Sequence, residues 1–300
     1  MVNALILRAP GTNCDLEGAF AFEQAGARAE RLHVNRLLER PALLAEFQIL
    51  CLPGGFSYGD DLGAGRILGN QIRHHLFDAL HEFKAAGKLV LGICNGFQIL
   101  MKSGLLLDEG KVGPALRDGN ESRSPSAAES PPRSVGAAAS PPRSLGATVR
   151  SIGVAAPPAT LTGNASGKFE DRWVRLRVAS SKCVFFAGIE SMYLPVAHAE
   201  GRFVARDGKT LSALEANGQL ALKYAPLDGP ANGAVAYPDN PNGAMADVAG
   251  VCDSTGRVCG LMPHPERHID PTQHPRWTRR PLGAEGDGLQ LFRNAVAYFA

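Results

Sequence analysis

The sequence predicts an α/β fold of three layers, in which a mostly parallel sheet continues into an antiparallel extension in the second half. Three observations predict it. Short apolar segments alternate with helix-length segments over the first hundred residues, which is typical of right-handed βαβ crossovers. Strand-like segments separated by turn residues dominate the chain after about residue 168. An apolar strand followed by an amphipathic helix closes the sequence.

The first half of the chain is predicted to supply the parallel strands and the helices that connect them. Strands are predicted at Ala4–Leu7, Ala29–Val34, Gln48–Leu52 and Leu89–Ile93. Helices are predicted at Asp15–Ala25, near Pro41–Glu46, at Ile67–Ala86 and directly after Cys94. Helices at this spacing would cover both faces of the sheet, so we expect a three-layer, flavodoxin-like arrangement.

The second half is predicted to be antiparallel in character, because its strands are separated by short turns that contain glycine. Strands are predicted at Trp173–Val178, Cys183–Phe186, Met192–Ala197, Arg202–Ala205 and Leu220–Tyr224. A last apolar strand is predicted at Arg257–Met262, and a closing helix at Gly288–Phe299. The chain is therefore interpreted as one domain over residues 1–300.

A segment rich in serine, proline and alanine interrupts that domain at about residues 121–150. It contains the repeated motif SPPRS, which begins at Ser130 and again at Ser140. Such a composition cannot bury enough apolar surface to offset the entropy lost on ordering, so a disordered insertion is expected. The two readings left open are a tolerated surface loop and a docking motif.

Composition excludes several classes of protein. The formal net charge is +2 and no basic run is dense, which argues against nucleic acid as a partner. No apolar stretch is long enough to span a membrane, and the first ten residues are interpreted as a strand instead of a signal peptide. The six cysteines are scattered without a CxxC pair, which suits reduced thiols. We therefore expect a cytoplasmic location.

The segment KLVLGICNGFQILM, Lys88–Met101, contains a candidate nucleophile at Cys94. An apolar strand ends at this cysteine, a helix begins after it, and glycines stand two residues away on either side. This is the pattern of a nucleophile elbow, in which a sharp turn exposes one side chain at a helix N-terminus. The positive end of the helix dipole favours a thiolate there. The alternative is a buried structural cysteine.

The stretch PHPER, residues 263–267, contains a candidate general base. In an extended backbone His264 and Glu266 face the same side, and the flanking prolines restrict the backbone around the histidine. A carboxylate that holds an imidazole sets its tautomer and orientation, which a general base requires. The alternative is a surface pair in a proline-rich turn.

A metal centre is a further interpretation of this region, because four potential ligands crowd together: His264, Glu266, His268 and His274. An H-x-E pattern begins the zinc deaminase signature, but that signature requires a P-C-x-x-C motif downstream. No cysteine follows Glu266, and the prolines prevent a helical HExxH pair. The sequence therefore predicts no metal site.

A double glycine, Gly54-Gly55, follows the third predicted strand. Glycines at a strand end let backbone N–H groups approach a ligand closely. Together with the N–H of Asn95, this turn could form an oxyanion hole, although it could also be an ordinary tight turn. A thiolate, an oriented imidazole and oxyanion donors are together the requirements of an acyl-transfer site.

These motifs resemble the class I, triad-type glutamine amidotransferases. The resemblance is carried by LPGGFSYGD at 52–60, GICNGFQ at 92–98, MPHPER at 262–267, PGTNCD at 10–15, NASGKFEDRWV at 164–174, PVAHAEGRF at 195–203 and NPNGA at 240–244. Within that class the motifs are most similar to the glutaminase subunits of phosphoribosylformylglycinamidine synthase, an enzyme of de novo purine synthesis. The resemblance covers nearly the whole chain outside the insertion.

The resemblance implies a Cys-His-Glu triad that hydrolyses L-glutamine. Cys94 would form a γ-glutamyl thioester, and His264, oriented by Glu266, would transfer the protons. The residues implied around the oxyanion and the substrate are Gly54, Gly55, Phe56, Asn95, Gln98, His198 and Ala199. The last two would line the pocket through their backbone atoms.

The resemblance also implies partners. Ammonia would pass to a separate synthetase subunit, which would bind ATP, Mg²⁺ and formylglycinamide ribonucleotide, and a third small protein would complete the assembly. No cofactor is expected on this chain, which contains no P-loop. Two alternatives stay open: another cysteine hydrolase or amidotransferase of the same architecture, and a scaffold subunit without catalysis. Gln98 and the FSYGD motif favour glutamine as the substrate, and the complete triad argues against a scaffold.

Overall fold

A nine-stranded sheet forms the middle layer of the protein. The structure is a computed structural model that describes residues 1–107, 156–229, 233–279, 281 and 283–300. The insertion predicted at about 121–150 lies outside the described residues, so that prediction is not tested. The described residues from 1–107 and from 156 onward belong to one compact unit.

Eleven strands lie within the described residues, and the central ones are apolar and buried. They are β1 (Asn3–Arg8), β2 (Arg28–His33), β3 (Ile49–Leu52), β4 (Leu89–Ile93), β5 (Ala159–Thr162), β6 (Glu170–Val178), β7 (Ser191–His198), β8 (Arg202–Ala205), β9 (Leu222–Ala225), β10 (Val248–Cys252) and β11 (Val258–Leu261). In β3, β4, β10 and β11 every residue is buried, as expected for strands that helices cover on both faces.

The helices connect the strands and cover the sheet on both sides. They are α1 (Asp15–Gln24), α2 (Val34–Glu39), α3 (Arg66–Gln71), α4 (Phe77–Ala85), α5 (Asn95–Ser103), α6 (Gly208–Ala216) and α7 (Leu289–Ala297). Helix α1 packs against α7, where the rings of Phe22 and Phe292 meet edge to face at 5.0 Å. Helix α3 packs against α5. No helix in the described ranges is both long and apolar enough to cross a bilayer.

The strand order confirms the predicted fold class. Strands β2, β1, β3, β4 and β11 lie side by side and pair in parallel, and β10, β9, β6 and β7 extend the same sheet with antiparallel pairings. Strands β5 and β8 form a separate antiparallel pair. The predicted strand at Arg202–Ala205 therefore exists but lies outside the main sheet.

The pairing of β4 with β11 positions the functional site. The two strands run in parallel, with Ile93 opposite Leu261. The N–H of Cys94 donates to the carbonyl of Leu261 at 2.8 Å, which extends the pairing one residue further. Because both strands end at the same edge of the sheet, the residues that follow them lie near each other.

Several predicted elements differ from the structure. The strand predicted at Cys183–Phe186 is wrong: Val184–Phe186 is a 3₁₀ turn closed by the N–H of Phe186 on the carbonyl of Cys183. A short apolar run has no periodicity that separates a strand from a buried turn. The helix predicted at Ile67–Ala86 is divided into α3 and α4 by a π-helical turn at Ile72–Leu76. Strands β5 and β10 and helices α2 and α6 were not predicted.

Candidate active site

Cys94 lies at a sharp turn between β4 and α5. Its backbone has φ of 52° and ψ of −106°, which is a strained conformation for a residue with a side chain. The two flanking glycines make room for the turn. A Cβ at Gly92 would lie 2.6 Å from the carbonyl oxygen of Gly96, and a Cβ at Gly96 would lie 1.8 Å from that of Leu52. The structure therefore has the elbow that the sequence predicts.

The N-terminus of α5 surrounds the cysteine with hydrogen-bond donors. The first intrahelical bond runs from the N–H of Gln98 to the carbonyl of Cys94, at 3.1 Å. The N–H groups of the preceding three residues, beginning with Asn95, consequently have no acceptor within the helix. The sulfur itself is buried and lies 3.6 Å from the carbonyl oxygen of Ala197. The site thus combines a nucleophile with donors for a developing anion.

His264 and Glu266 form a buried pair beyond the end of β11. Nδ1 of the imidazole lies 2.6 Å from Oε1 of the carboxylate, and both side chains are at most 2% exposed. The N–H of His264 donates to the carbonyl of Pro195 at 2.9 Å, which ties this turn to β7. Nε2 is buried and makes no hydrogen bond of normal geometry with the described residues. It is therefore the nitrogen available for proton transfer.

The charges around His264 favour its protonated form. Burial lowers the pKa of the imidazole, but the electrostatic interactions with Glu266 and Cys94 raise it. Interactions with both the Cys14 and the Cys94 thiols add to this effect, so the pKa lies well above its ordinary value. A histidine that holds a proton firmly in this position can deliver it to a leaving group.

The Gly54-Gly55-Phe56 turn packs directly against Cys94 and His264. A Cβ at Gly54 would lie 2.8 Å from Cε1 of His264 and 3.5 Å from Cβ of Cys94, so a larger residue would not fit. Gly55 has φ of 135° and bridges Thr12. The N–H of Phe56 donates to the carbonyl of Gly11 at 3.0 Å. In this structure the Phe56 N–H is therefore engaged elsewhere and does not face the nucleophile as a free donor.

A cavity of about 200 Å³ opens onto Cys94. Its lining residues are Gly55, Phe56, Asp60, Ala64, Cys94, Gln98, Ala197, His198, Ala199 and Glu200. Six of the residues predicted from the sequence are among them, and Gly54, Asn95, His264 and Glu266 lie outside the lining. A larger cavity of about 390 Å³ contains none of the predicted site residues. We therefore take the smaller cavity as the candidate substrate site.

Asn95 and Gln98 organise one wall of this cavity. The side-chain amide of Asn95 donates to Oε1 of Gln98 at 3.0 Å and to Oδ1 of Asp60 at 3.1 Å, and its oxygen accepts the N–H of Ser57 at 3.2 Å. Nε2 of Gln98 donates to the carbonyl of Glu200 at 2.5 Å. These contacts hold the wall in place before any substrate binds, so the side chain of Asn95 has a structural role in addition to that of its N–H.

His198 and Ala199 are held by Asn164. Oδ1 of Asn164 lies 3.1 Å from Nδ1 of His198, Nδ2 donates to the His198 carbonyl at 2.8 Å, and the N–H of Asn164 donates to the Ala199 carbonyl at 2.8 Å. Burial, and after it the positive charge of His264, lower the pKa of His198 to about 4. His198 is therefore neutral near pH 7 and serves as a fixed part of the cavity wall.

A family model describes nearly all of this chain. The model of the CobB/CobQ-like glutamine amidotransferase domain matches residues 1–128 and 145–299. The chain belongs to this family of glutamine amidotransferases.

Individual relatives of this amidotransferase agree with the family match. It is 43% identical to the phosphoribosylformylglycinamidine synthase subunit PurQ of Dehalococcoides mccartyi, over 99% of this chain and 97% of that one. It is 39% identical to the PurQ subunit of Methanococcus maripaludis, over 98% and 96% of the two chains. Among solved structures, a chain of PurLQS from Thermotoga maritima superposes with a TM-score of 0.63 at 26% identity, over 100% of this chain and 99% of that one.

Four further residues of the amidotransferase site were not predicted: Cys14, Asp60, Asn164 and Glu200. All four lie within motifs that carry the family resemblance, which is the signal that could have indicated them. His268 and His274, by contrast, do not join His264. They pack in an aromatic cluster with Trp173 and Tyr193.

Proposed function

We propose that this chain is the glutaminase subunit of a phosphoribosylformylglycinamidine synthase and acts in de novo purine synthesis. The observation that carries the proposal is the convergence of Cys94, the His264–Glu266 pair and the N-terminus of α5 at one edge of the sheet. The motifs FSYGD and CNGFQ and the names of the full-length relatives support the specific assignment.

The first chemical step is attack of the Cys94 sulfur on the side-chain amide carbon of L-glutamine. A carbon–sulfur bond forms, the carbon–nitrogen bond breaks, and ammonia leaves with a proton from Nε2 of His264. The product is a γ-glutamyl thioester on Cys94. The buried contact with Glu266 keeps Nδ1 of His264 as a donor, so Nε2 is the atom that exchanges protons.

The second step is hydrolysis of the thioester. His264, left neutral by the first step, takes a proton from water, and the resulting hydroxide attacks the thioester carbon. The carbon–sulfur bond then breaks, glutamate leaves, and the proton stays shared between Nε2 of His264 and the released sulfur. Each step develops a negative charge on the amide or thioester oxygen. The N–H of Asn95, at the positive end of α5, is suited to stabilise this oxyanion. One such donor contributes about 2.7–4 kcal/mol to the transition state.

The far side of the cavity suits the α-ammonium group of an amino acid. Asp60 and Glu200 both line it, and burial together with the charge of Glu200 raises the pKa of Asp60. A cationic substrate group relieves this repulsion between two carboxylates. Lys102, behind this wall, lies 3.8 Å from Glu200 and also donates to the carbonyl of Ala64. The α-amino-acid end of glutamine thus meets carboxylates that complement its ammonium group, while the side-chain amide points to Cys94.

The ammonia is proposed to serve a synthetase partner. The solved relative is a chain of the PurLQS assembly, which supports association with a synthetase subunit and a third small subunit. The synthetase would bind ATP and Mg²⁺ and convert formylglycinamide ribonucleotide to its amidine. No further cofactor is needed on the present chain, because the thioester chemistry uses its own residues.

The deciding experiment reconstitutes the chain with a synthetase and small subunit of a PurLQS assembly. Cys94→Ala is expected to abolish synthesis from glutamine and to leave synthesis from added ammonia intact, because ammonia bypasses the thioester. Cys183→Ala, at a buried cysteine outside the cavity, is the matched control and is expected to keep both activities. Loss of both activities in Cys94→Ala would contradict the role given to Cys94. Failure of the wild-type chain to support either would contradict the assignment.

A further inference from the structure

We propose that Asn242 is a positioning residue for glutamine, because it fixes through Gly201 the part of the cavity wall that carries Glu200. The inference rests on the proposed function and deepens it, since it gives a role to the NPNGA motif at 240–244, which the triad chemistry does not use. Asn242 is fully buried and is not among the residues that line the cavity. It therefore acts on the substrate through other groups.

Glu200 joins two other residues of the cavity wall. Its two carboxylate oxygens lie 3.3 and 3.4 Å from the N–H of Ala64, and its backbone carbonyl accepts from Nε2 of Gln98 at 2.5 Å. All three residues line the cavity. A displacement of the backbone at Glu200 would therefore move both a negative charge and the wall that surrounds it.

The chain on the two sides of Glu200 belongs to different sheets. Strand β7 ends at His198 in the main sheet, whereas β8 begins at Arg202 and pairs with β5 in the separate two-stranded sheet. Pairing within the sheets therefore fixes the two strands but not the link between them, residues 199–201. The position of this link depends on contacts from other segments of the chain.

Two buried asparagines hold Gly201, the last residue of that link. Oδ1 of Asn164 accepts the N–H of Gly201 at 3.1 Å, and Nδ2 of Asn242 donates to its carbonyl at 2.8 Å. The carbonyl of Asn242 accepts the N–H of Ala165 at 3.0 Å, which joins the two asparagine segments. Gly201 also packs closely on His198, because a Cβ there would lie 2.5 Å from the imidazole ring. Both polar backbone groups of Gly201 thus have a side-chain partner from a distant part of the sequence.

Both polar atoms of the Asn242 side chain are hydrogen-bonded. Nδ2 also donates to the hydroxyl of Tyr224 at 3.0 Å, and Oδ1 accepts the N–H of Ala244 at 3.0 Å. Tyr224 is fully buried as well, so solvent cannot replace a lost contact here. Removing the amide would leave the Gly201 carbonyl without its side-chain donor, and burial of an unpaired carbonyl favours a rearranged backbone.

The expected consequence is a loss of substrate binding without a comparable loss of chemistry. Ala197, whose carbonyl oxygen lies 3.6 Å from the Cys94 sulfur, belongs to β7 and pairs with Asp171 of β6. The β6–β7 pairing therefore holds this part of the site without help from Asn242. Removing the amide is expected to displace Glu200 and to leave the nucleophile in place, so KM should rise more than kcat falls.

The test measures glutamine hydrolysis by the reconstituted complex with Asn242→Ser. A serine hydroxyl can still accept the N–H of Ala244, but it is too short to reach the Gly201 carbonyl. KM for L-glutamine is expected to rise by about tenfold or more, while kcat stays within about threefold of the wild-type value. Glutaramate lacks the α-amino group that Glu200 faces, so the variant is expected to hydrolyse it as well as the wild type does.

Gln219→Ala is the matched control. Gln219 is also a buried amide outside the cavity lining, and its Nε2 donates to a backbone carbonyl, that of Cys252, at 3.2 Å. This variant is expected to lower the thermal stability and to keep KM for both substrates. A double-mutant cycle with Glu200→Gln tests the route of action. If Asn242 acts through Glu200, adding Asn242→Ser to Glu200→Gln should raise KM little further.

The outcomes separate this inference from the proposed function. Asn242→Ala provides a second variant, and thermal unfolding identifies any variant that has lost the fold. A wild type that hydrolyses glutamine, together with folded Asn242 variants of unchanged KM, would overturn the inference and leave the function standing. Equal losses with glutamine and glutaramate would also overturn it, because they would indicate a general disturbance of the cavity. A wild type that hydrolyses no glutamine in the complex would overturn the proposed function and the inference with it.

Discussion

Gly96 packs its α-carbon against the carbonyl oxygen of Leu52, so closely that a Cβ on Gly96 would lie 1.8 Å from that oxygen. Leu52 is the last residue of β3, and Gly96 is the second residue of α5. The contact seats the N-terminus of α5 on the neighbouring strand and thereby directs the start of the helix toward the Cys94 thiol. The position of Cys94 therefore depends on residue 96 being a glycine, because any side chain there would push α5 away from β3.

We expect Gly96→Ala to destabilise the protein by about 2–3 kcal/mol and to reduce glutaminase activity, because the clash is with backbone that cannot rotate away. Urea unfolding measures the change. Gly18→Ala is the matched control, since a Cβ at that helical glycine meets nothing within 4 Å. It is expected to stabilise the protein by up to about 1 kcal/mol. Equal stability of the two variants would show that the elbow tolerates a side chain.

Glu266→Gln is expected to lower the rate of glutamine hydrolysis by about 10²–10⁴-fold, because the amide keeps the size of the side chain but removes the charge that stabilises the imidazolium. The pKa of His264 is expected to fall, since the charge of Glu266 helps to hold it above its ordinary value. The pH dependence of kcat and the NMR titration of His264 measure both effects. Glu17→Gln, at a half-exposed carboxylate that pairs with Arg267, is the control. An unchanged pH profile in Glu266→Gln would contradict the role of the charge.

Asp60→Asn is expected to raise KM for L-glutamine by about tenfold or more, because a hydrogen bond to a charged group contributes about 1.5–3 kcal/mol. The amide oxygen of asparagine can still accept from Gly65 and Asn95, so the cavity wall should persist. Glutaramate, which is glutamine without the α-amino group, distinguishes a lost contact with the α-ammonium group from a general disturbance of the cavity. If Asp60 binds the α-ammonium group, the variant should turn over glutaramate as well as the wild type does. An equal loss with both substrates would indicate a structural effect instead.

His198 is expected to make the protein sensitive to acid. Its folded pKa is about 4, below the 6.5 expected when unfolded, so between these values the unfolded chain binds more protons. Stability therefore rises with pH from about 4 to 6.5 and is lost as pH falls through that window, by about 3 kcal/mol in total. His264 has the opposite effect on stability: because its folded pKa is raised, its contribution is lost as the pH rises.

His198→Gln removes this titration and leaves a side-chain amide that can reach Asn164. The variant is expected to lose less stability than the wild type between pH 6.5 and pH 4, as measured by urea unfolding at each pH. Comparing the two proteins cancels much of the contribution of His264. If the free energy of unfolding fell equally in the wild type and in His198→Gln, His198 would not be the source of the acid sensitivity.

The sequence by itself determined those parts of the site whose interacting residues lie close together in the chain. The elbow at Cys94 needs a buried strand, two glycines and a helix start, and all of these lie between Leu89 and Ser103. The His264–Glu266 pair needs two residues of spacing and a constrained backbone, which PHPER contains. Predictions of this kind succeed because the interacting atoms belong to one short stretch of chain, so the residue pattern is enough to predict their contact.

Predictions failed where a short apolar stretch has no residue pattern that distinguishes a strand from a turn. Cys183–Phe186 has the composition of a buried strand but forms a turn, because its backbone hydrogen bonds close locally and do not join the sheet. β10 was not predicted, yet it separates β11 from β9 and begins the antiparallel part of the sheet. Burial of both elements depends on neighbours that are distant in sequence.

The tertiary structure alone decided which distant residues share the site. Parallel pairing of β4 with β11 brings Cys94 beside the His264 turn, and periodicity along a strand does not specify its partner. Cys14, directly before α1, lies close to the His264 ring, and a buried asparagine, Asn164, holds the cavity wall at His198. These contacts join residues that are far apart in the chain. The sequence by itself therefore indicated which chemical groups this protein carries, and only the tertiary structure decided which of those groups lie together.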